Sequence, residues 1–421
     1  MKPEHVKYLI IGAGISGLAM ANQLGCDYRI VEKEREPGGY CRTIREGDYV
    51  WDYAGHFFHF KTEKYRKLFL DNVDPADVIV QEKRTKILYR GALIDYPFQA
   101  NIHQLEKQEF IDCLYDLFQR EQKSEYENFQ DMLYGKFGRS ITEKFLRPYN
   151  EKLYACDLRT LDQNAMGRFF PYADIPQIVA NMKREQDRSY NSTFLYPRNG
   201  AGSFINILYR ALEPDSVLLD CAVASVDPER RLATFSSGET CEYEYLINTA
   251  PLNHFLKMFR DPELSALEGR LSYNKVLVLN LGFAKKSEYR EHWIYVPETD
   301  ANYYRIGFYD NILGTDKLSM YIEIGFPRDA EIDVERQLEL TLENLKRHGV
   351  IDETNPLQAW NAIVMDPAYV HINTETEREL RQRKAELRAH GIYTIGRYGG
   401  WTYCSMEDCM LEAEALAKQL K

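Results

Sequence analysis

The stretch from Tyr8 to Arg42, YLIIGAGISGLAMANQLGCDYRIVEKEREPGGYCR, constrains this chain more than any other. Tyr8 to Ile11 form an apolar strand, and Gly12, Gly14 and Gly17 follow at G-x-G-x-x-G spacing. Leu18 to Leu24 continue at helical period, and the next strand, Tyr28 to Val31, ends in Glu32. The spacing has mechanical reasons. Gly12 permits the tight turn, Gly14 lets backbone approach a pyrophosphate, and Gly17 lets the helix pack on the strand. The helix N-terminus, with Ile15 and Ser16 in its first turn, favours an anion. Glu32 stands where an acid accepts hydrogen bonds from a ribose, with Lys33 beside it.

A second glycine pair follows in Pro37-Gly38-Gly39-Tyr40-Cys41-Arg42. An NAD domain needs no such element, whereas many flavoproteins use one to hold the phosphates and ribityl chain of FAD. FAD is therefore the expected cofactor, with Gly39, Tyr40 and Arg42 among its contacts. Arg42 on its own also reads as a solvated surface cation.

A chain of 421 residues with 44% hydrophobic content has enough core for more than one lobe. Its net charge of −11 disfavours broad attraction to nucleic acid or anionic lipid. An anionic substrate must then be gripped by individually placed arginines. Eight cysteines are scattered without a C-x-x-C pair or zinc-ligand spacing with histidine. They read as buried thiols of a reducing compartment, and no metal site is expected. Strand sequence begins within a few residues of Met1, and no apolar run reaches spanning length. A cytoplasmic protein without stable membrane insertion is the expectation.

Farther along, residues 50–60 read as an aromatic strand and turn, and residues 86–97 as a hairpin turning at Arg90-Gly91. From residue 103 the period turns helical. Phe110, Leu114, Leu117 and Phe118 share one face, and Phe129, Met132 and Leu133 share the next. Ser140 and Glu143 read as a capping box opening a third helix. Strands return over 217–247, with Val223 among the expected cofactor contacts, and again at Val276–Phe283 and Ser319–Phe326. Helices are expected over 333–348 and 376–390, stopped by Gly349 and Gly391. The last unit, from Ile392 to Leu420, reads as strand, glycine turn and helix, returning to the first sheet.

The fold expected is α/β. It has a Rossmann-like FAD-binding domain built from both chain ends, an inserted helical subdomain, and a second mixed or antiparallel sheet. Residues 1–100, 195–271 and 391–421 are assigned to the FAD domain, 101–194 to the helical insertion and substrate loop, and 272–390 to the sheet-containing substrate domain.

That last unit, together with the start of the chain, resembles UDP-galactopyranose mutase and its flavoprotein relatives nearly end to end. The segment from Asp52 to His59 looks like the one passing the flavin ring, with His56 beside it. Asp95-Tyr96-Pro97 looks like the strand end after the hairpin, and Tyr149 to Tyr154 like a helix end carrying a substrate-facing Tyr and Trp, Tyr154 replacing the Trp. Tyr304-Arg305 matches a strand arginine, and Gly396-Arg397 with Tyr403 matches the C-terminal G-R…Y signature. Two departures, Gly38 to Arg42 and Asn248 to Pro251, look more like amine oxidases, desaturases and protoporphyrinogen oxidases. The stretch 168–192, which grips the nucleotide in the family, is too divergent to align.

The resemblance implies an isomerase of cell-surface polysaccharide biosynthesis. Such an enzyme interconverts pyranose and furanose forms of a UDP-hexose through attack of reduced flavin N5 on the anomeric carbon. The alternative is an FAD-dependent oxidase or desaturase of the amine oxidase and protoporphyrinogen oxidase type. In the mutase reading Arg305, Arg397, His56 and Tyr403 are catalytic, and Arg168, Tyr149, Tyr154, Tyr172 and Tyr321 bind substrate. Gly396, Arg397, Tyr403, His56 and Met406 join the cofactor contacts. The helix starting near Ser405 is expected to aim its N–H groups at the flavin ring. His56 also reads as a core histidine, and Cys404 and Cys409 as packing. The partners are a nucleotide-sugar, NAD(P)H or another reductant, and a second copy of the chain in a homodimer.

Overall fold

A computed structural model describes residues 4–183 and 193–421. The end of the 168–192 stretch, residues 184–192, lies outside them. The first sheet runs in the order Val223–Asp227, Leu232–Phe235, Thr240–Asn248, Glu4–Ile11, Tyr28–Val31 and Val217–Leu218. Glu4–Ile11 lies parallel to both Thr240–Asn248 and Tyr28–Val31, as expected of strands joined by crossovers. Ile392–Thr394 also pairs in parallel with Thr240–Asn248.

Helix Ile15–Leu24 is apolar almost all round because it is covered on two sides. It lies on the sheet and packs against helix Met406–Leu420, and Ala13, Leu18, Met20, Ala21, Met410 and Ala413 share one cluster.

The second sheet runs in the order Leu357–Met365, Asn274–Phe283, Ser319–Pro327, Arg305–Phe308, Trp293–Tyr295, Thr85–Tyr89 and Ala92–Asp95. Its long strands are antiparallel, whereas Trp293–Tyr295 pairs in parallel with the hairpin strand Thr85–Tyr89. The hairpin turns at Arg90 and Gly91, both with positive φ. It extends this second sheet, although it falls within the residues 1–100 assigned to the FAD-binding domain.

The helical insertion carries Lys107–Gln119, Phe129–Ile141 and Arg147–Tyr154, with a π-helical turn over Thr142–Leu146. Two expectations fail here. Phe118 is 57% exposed, and the buried stripe of its helix is Cys113 and Leu117, with Phe110 half-buried. Ser140 caps nothing. Gly138 breaks the helix at φ +74, and Asp116 of the preceding helix accepts both the N–H and the hydroxyl of Ser140. Glu143 is engaged by Tyr134 and Arg147. A carboxylate from another helix has taken the capping role, which local sequence does not reveal.

Among the described residues, no helix is long and apolar enough to cross a membrane.

Candidate functional site

The strand ends Ile11-Gly12 and Asn248-Thr249 lie side by side and open onto the first turn of helix Ile15–Leu24. A Cβ on Gly17 would stand 1.9 Å from the Gly12 carbonyl oxygen, so strand and helix are in backbone contact there. A Cβ on Gly14 would meet nothing within 4 Å, although Gly14 opens the helix with no side chain capping it. Open space thus faces uncapped N–H groups. Gly38 reaches the same edge, its N–H bonding the Ala13 carbonyl at 2.8 Å, and a Cβ on Gly39 would stand 3.6 Å from Gly14 Cα.

Glu32 is 8% exposed and accepts the N–H of Ala13 at 2.7 Å and that of Glu34 at 3.0 Å. Each carboxylate oxygen keeps a lone pair for a ribose hydroxyl. The Cys221 N–H bonds the Glu32 carbonyl at 2.8 Å, bringing Val223 of the next strand alongside. Lys33 points outward to Glu34. Arg42 donates from Nε to the Gly39 carbonyl at 2.9 Å and lies over Tyr53. Tyr40 accepts the Asp366 N–H and meets Tyr398 edge-on. These residues fit a dinucleotide: open space at a helix N-terminus, a buried acid and a second glycine turn converge.

The C-terminal turn closes this cradle from above. Gly396 has φ +82, and a Cβ there would stand 2.2 Å from Ser16 Oγ. The turn therefore presses on the first turn of the dinucleotide helix and carries Arg397 over it. The Arg397 guanidinium lies 4.6 Å from the Tyr403 ring centre, 5.2 Å from Tyr369 and 5.8 Å from Tyr398. Nη1 donates to the Cys404 carbonyl at 3.4 Å, while Nε is buried without a hydrogen-bond partner. Among the described residues no carboxylate forms an ion pair with it. Arginine keeps its charge in proteins, so this is a caged cation without a counter-ion.

Tyr403 stacks on Tyr369 at 5.8 Å and meets Phe169 edge-on at 4.9 Å. Tyr154 meets Tyr369 and His371 edge-on, and its hydroxyl is buried without a partner.

Arg305 lies in the second sheet, and its charge, like that of Arg397, reaches His56. Glu323 takes it through Nε at 3.0 Å and through Nη2, so this cation is already neutralised. His56 feels both arginines. Burial pushes its pKa down to about 4, and the charges of Arg397 and Arg305 push the same way. Its Nδ1 lies 2.9 Å from the Ala54 carbonyl, which can only accept. The proton therefore sits on Nδ1, and Nε2 keeps a lone pair.

Tyr321 lies across Gly307 and reaches Gly55, where a Cβ would stand 2.2 Å from its hydroxyl. The hydroxyls of Tyr321 and Tyr304 are buried without partners. Tyr149 stacks on Phe145 and meets Tyr295 and Tyr304 edge-on. Burial raises its hydroxyl pKa well above the usual range.

Two expected substrate residues stand apart. Arg168 pairs with Asp408 and remains 48% exposed, so its charge has a partner. Tyr172 lies under Lys136 of the helical insertion, 47% exposed. The last helix begins at Met406, which packs on the first core. Its N-terminus already holds two carboxylates. Asp408 closes a capping box with Ser405, and Glu407 accepts the N–H groups of Lys61 and Thr62. These offset part of the positive potential expected at a flavin ring.

Sequence reading missed Tyr369, Tyr398 and Glu323. Tyr398 adjoins Arg397, and Glu323 is the lone charge in the apolar run SMYIEIGF, but nothing in the sequence marks Tyr369.

Fold and site together define a flavoprotein with two seven-stranded sheets and an arginine without an ion pair beside its dinucleotide cradle. The chain belongs to the flavin containing amine oxidoreductase family, whose model matches residues 15–420. Its cofactor is FAD. Three solved structures share the fold. A reduced UDP-galactopyranose mutase is 22% identical over 99% of this chain and 95% of its own, with TM-score 0.93. A CLA-producing fatty acid isomerase from P. acnes is 13% identical over 98% of each chain, with TM-score 0.69. Putrescine oxidase with bound putrescine is 12% identical over 99% of each chain, with TM-score 0.66.

Proposed function

We propose that this protein is an FAD-dependent mutase of a nucleotide-activated hexose, interconverting pyranose and furanose forms of a UDP-hexose, with UDP-galactose the first candidate. The observation that carries this reading is Arg397, a half-buried arginine with a buried and unpartnered Nε, no carboxylate and three tyrosine faces around it. A diphosphate supplies the missing anion and matches the planar fork of donors.

In this reading Gly12, Gly14, Gly17, Glu32 and the Gly38-Gly39 turn hold FAD. Reduced FAD supplies the nucleophile for the sugar. Arg397 binds the diphosphate and stabilises its charge as the bond to the sugar lengthens. Tyr403 and Tyr369 hold the guanidinium plane in place and narrow access for water. The hydroxyls of Tyr154, Tyr304 and Tyr321 donate to sugar or phosphate oxygens, which satisfies otherwise orphaned groups. His56, neutral near pH 7, accepts a proton or a hydroxyl hydrogen bond at Nε2.

A second reading, an amine-type oxidase, draws support from the Arg305–Glu323 pair. That pair cancels one of the two cations and places a carboxylate in the pocket wall. One experiment separates the two readings. The FAD-loaded protein, reduced anaerobically with dithionite, is incubated with UDP-galactofuranose and followed by chromatography. Conversion only in the reduced sample supports the mutase. No conversion, with flavin reduction by an added amine, overturns it in favour of the oxidase.

A further inference from the structure

Two sulfur atoms meet at the edge of this site. Cys404 follows Tyr403 and is half-buried, whereas Cys409 lies in the last helix and is 4% exposed. Their Sγ atoms are 3.5 Å apart, in direct contact. The thiol of Cys404 and the hydroxyl of Ser16 stabilise the Cys409 thiolate and hold its pKa below the usual thiol value, while Cys404 is held well above it.

We propose that Cys404 and Cys409 form a reversible dithiol–disulfide site whose oxidation re-aims Arg397 and Tyr403. The oxidant is a low-molecular-weight disulfide. Cys404, the accessible thiol, loses its proton and attacks one sulfur of that disulfide. The small S–S bond breaks, and its other half leaves as a thiolate that takes up the proton. The Cys409 thiol then gives up its proton and attacks Cys404 Sγ in the mixed disulfide, and the second half of the small disulfide leaves as a thiolate that takes up that proton. Two protein thiols are oxidised and one small disulfide is reduced to two thiols.

The coupling to the site is geometric. Bonded sulfurs stand about 2.05 Å apart, so the pair must close from its 3.5 Å contact. The Cys409 side chain is fixed in the core with Cys41, Leu18 and Met410, so the movement falls on the turn carrying Cys404. The carbonyl of that same residue receives Arg397 Nη1, and the preceding residue supplies the ring closest to the guanidinium. The proposal rests on this geometry and holds whichever reaction the pocket performs.

The test treats the FAD-loaded full chain with glutathione disulfide and maps its peptides without reduction. The expected result is a Cys404–Cys409 cross-link, reversed by dithiothreitol and absent from Cys404→Ser and Cys409→Ser. A shift of the visible flavin band accompanies it in the wild type and is lost in Cys404→Ser. If Cys409→Ser fails to fold, the more accessible Cys404→Ser and Cys404→Ala carry the comparison. Glutathione adducts without the cross-link, or free thiols at both positions, overturn the site. A cross-link that leaves the flavin band unmoved overturns its coupling to Arg397.

Discussion

Glu323 stands directly opposite Arg305 in the register of two antiparallel strands and holds its guanidinium through Nε and Nη2. The Glu323 side chain is 2% exposed and the Arg305 side chain 20%, so water screens the pair little. Replacing Glu323 with Gln leaves Arg305 charged and unpaired. The expected cost is about 3 kcal/mol in urea unfolding, as for other broken buried pairs. In the same variant UDP binds more tightly, because a second cation becomes available. Unchanged or weaker UDP binding would place Arg305 outside the reach of the ligand.

Arg397 makes the opposite prediction. Arg397→Ala should retain FAD, since Gly12 to Gly17 and Glu32 are untouched, and should lose about 100-fold in UDP affinity. That loss corresponds to one or two charge-assisted hydrogen bonds of about 1.5–3 kcal/mol each. Arg397→Lys keeps the charge without the fork and should fall between the two. Calorimetric titration with UDP reads all three proteins, and equal affinities remove Arg397 from the anion site.

The two helix glycines separate folding from cofactor binding. Gly14 has φ −73 and open space where a Cβ would go, so Gly14→Ala should unfold at the wild-type urea concentration. It should nevertheless fail to hold FAD, because the methyl fills the space meant for pyrophosphate. Gly17→Ala drives a methyl to 1.9 Å from a backbone oxygen and should not yield folded protein. A yellow Gly14→Ala protein would show that the pyrophosphate lies elsewhere.

Glu32→Ala should raise the rate of FAD loss on dialysis about tenfold, the scale of one hydrogen bond to a charged group. Glu32→Gln, which keeps an acceptor for the Ala13 N–H, should lose less. Full FAD retention in both would count against the ribose assignment.

Acid should destabilise the fold, and the sign follows from five buried groups. His56, His292 and His371 are pushed down from 6.5 to about 4, chiefly by burial. Between those values the unfolded chain binds protons that the folded chain refuses, so their stabilisation is lost as pH falls through this window. Asp52 and Asp310 are raised by burial from 3.8 to about 6, so they stabilise the fold most below 3.8 and lose that effect as pH rises through 6. Three histidines outweigh two aspartates with shifts of similar size. The urea midpoint should therefore fall between pH 6.5 and 4.5, and a rising midpoint would refute the balance.

The parts of this protein legible in its sequence are those whose geometry is local. Gly12, Gly14, Gly17 and Glu32 form one continuous βαβ turn, so spacing alone specifies where each backbone goes. Gly396, Arg397 and Tyr403 stood out through a resemblance to a family signature, and they too lie close together in sequence, between a strand and a helix. What escaped depends on partners brought by the fold. Tyr369 reaches Arg397 from a loop beyond the strand Leu357–Met365, with no periodicity to announce it. Arg168 looked like a free cation until Asp408, far away in sequence, came to meet it. Ser140 looked like a cap until Asp116 supplied one from another helix.

The hydroxyl of Tyr8, in the first strand, donates to the carbonyl of Leu420, at the end of the last helix, at 3.1 Å. The floor of the cradle and its buttress are therefore segments 412 residues apart in sequence that meet only in the folded chain. Without that buttress, helix Ile15–Leu24 has one apolar side with nothing to lie against. Loss of the helix Met406–Leu420 should therefore loosen FAD, because it uncovers the helix whose N-terminus faces the pyrophosphate space.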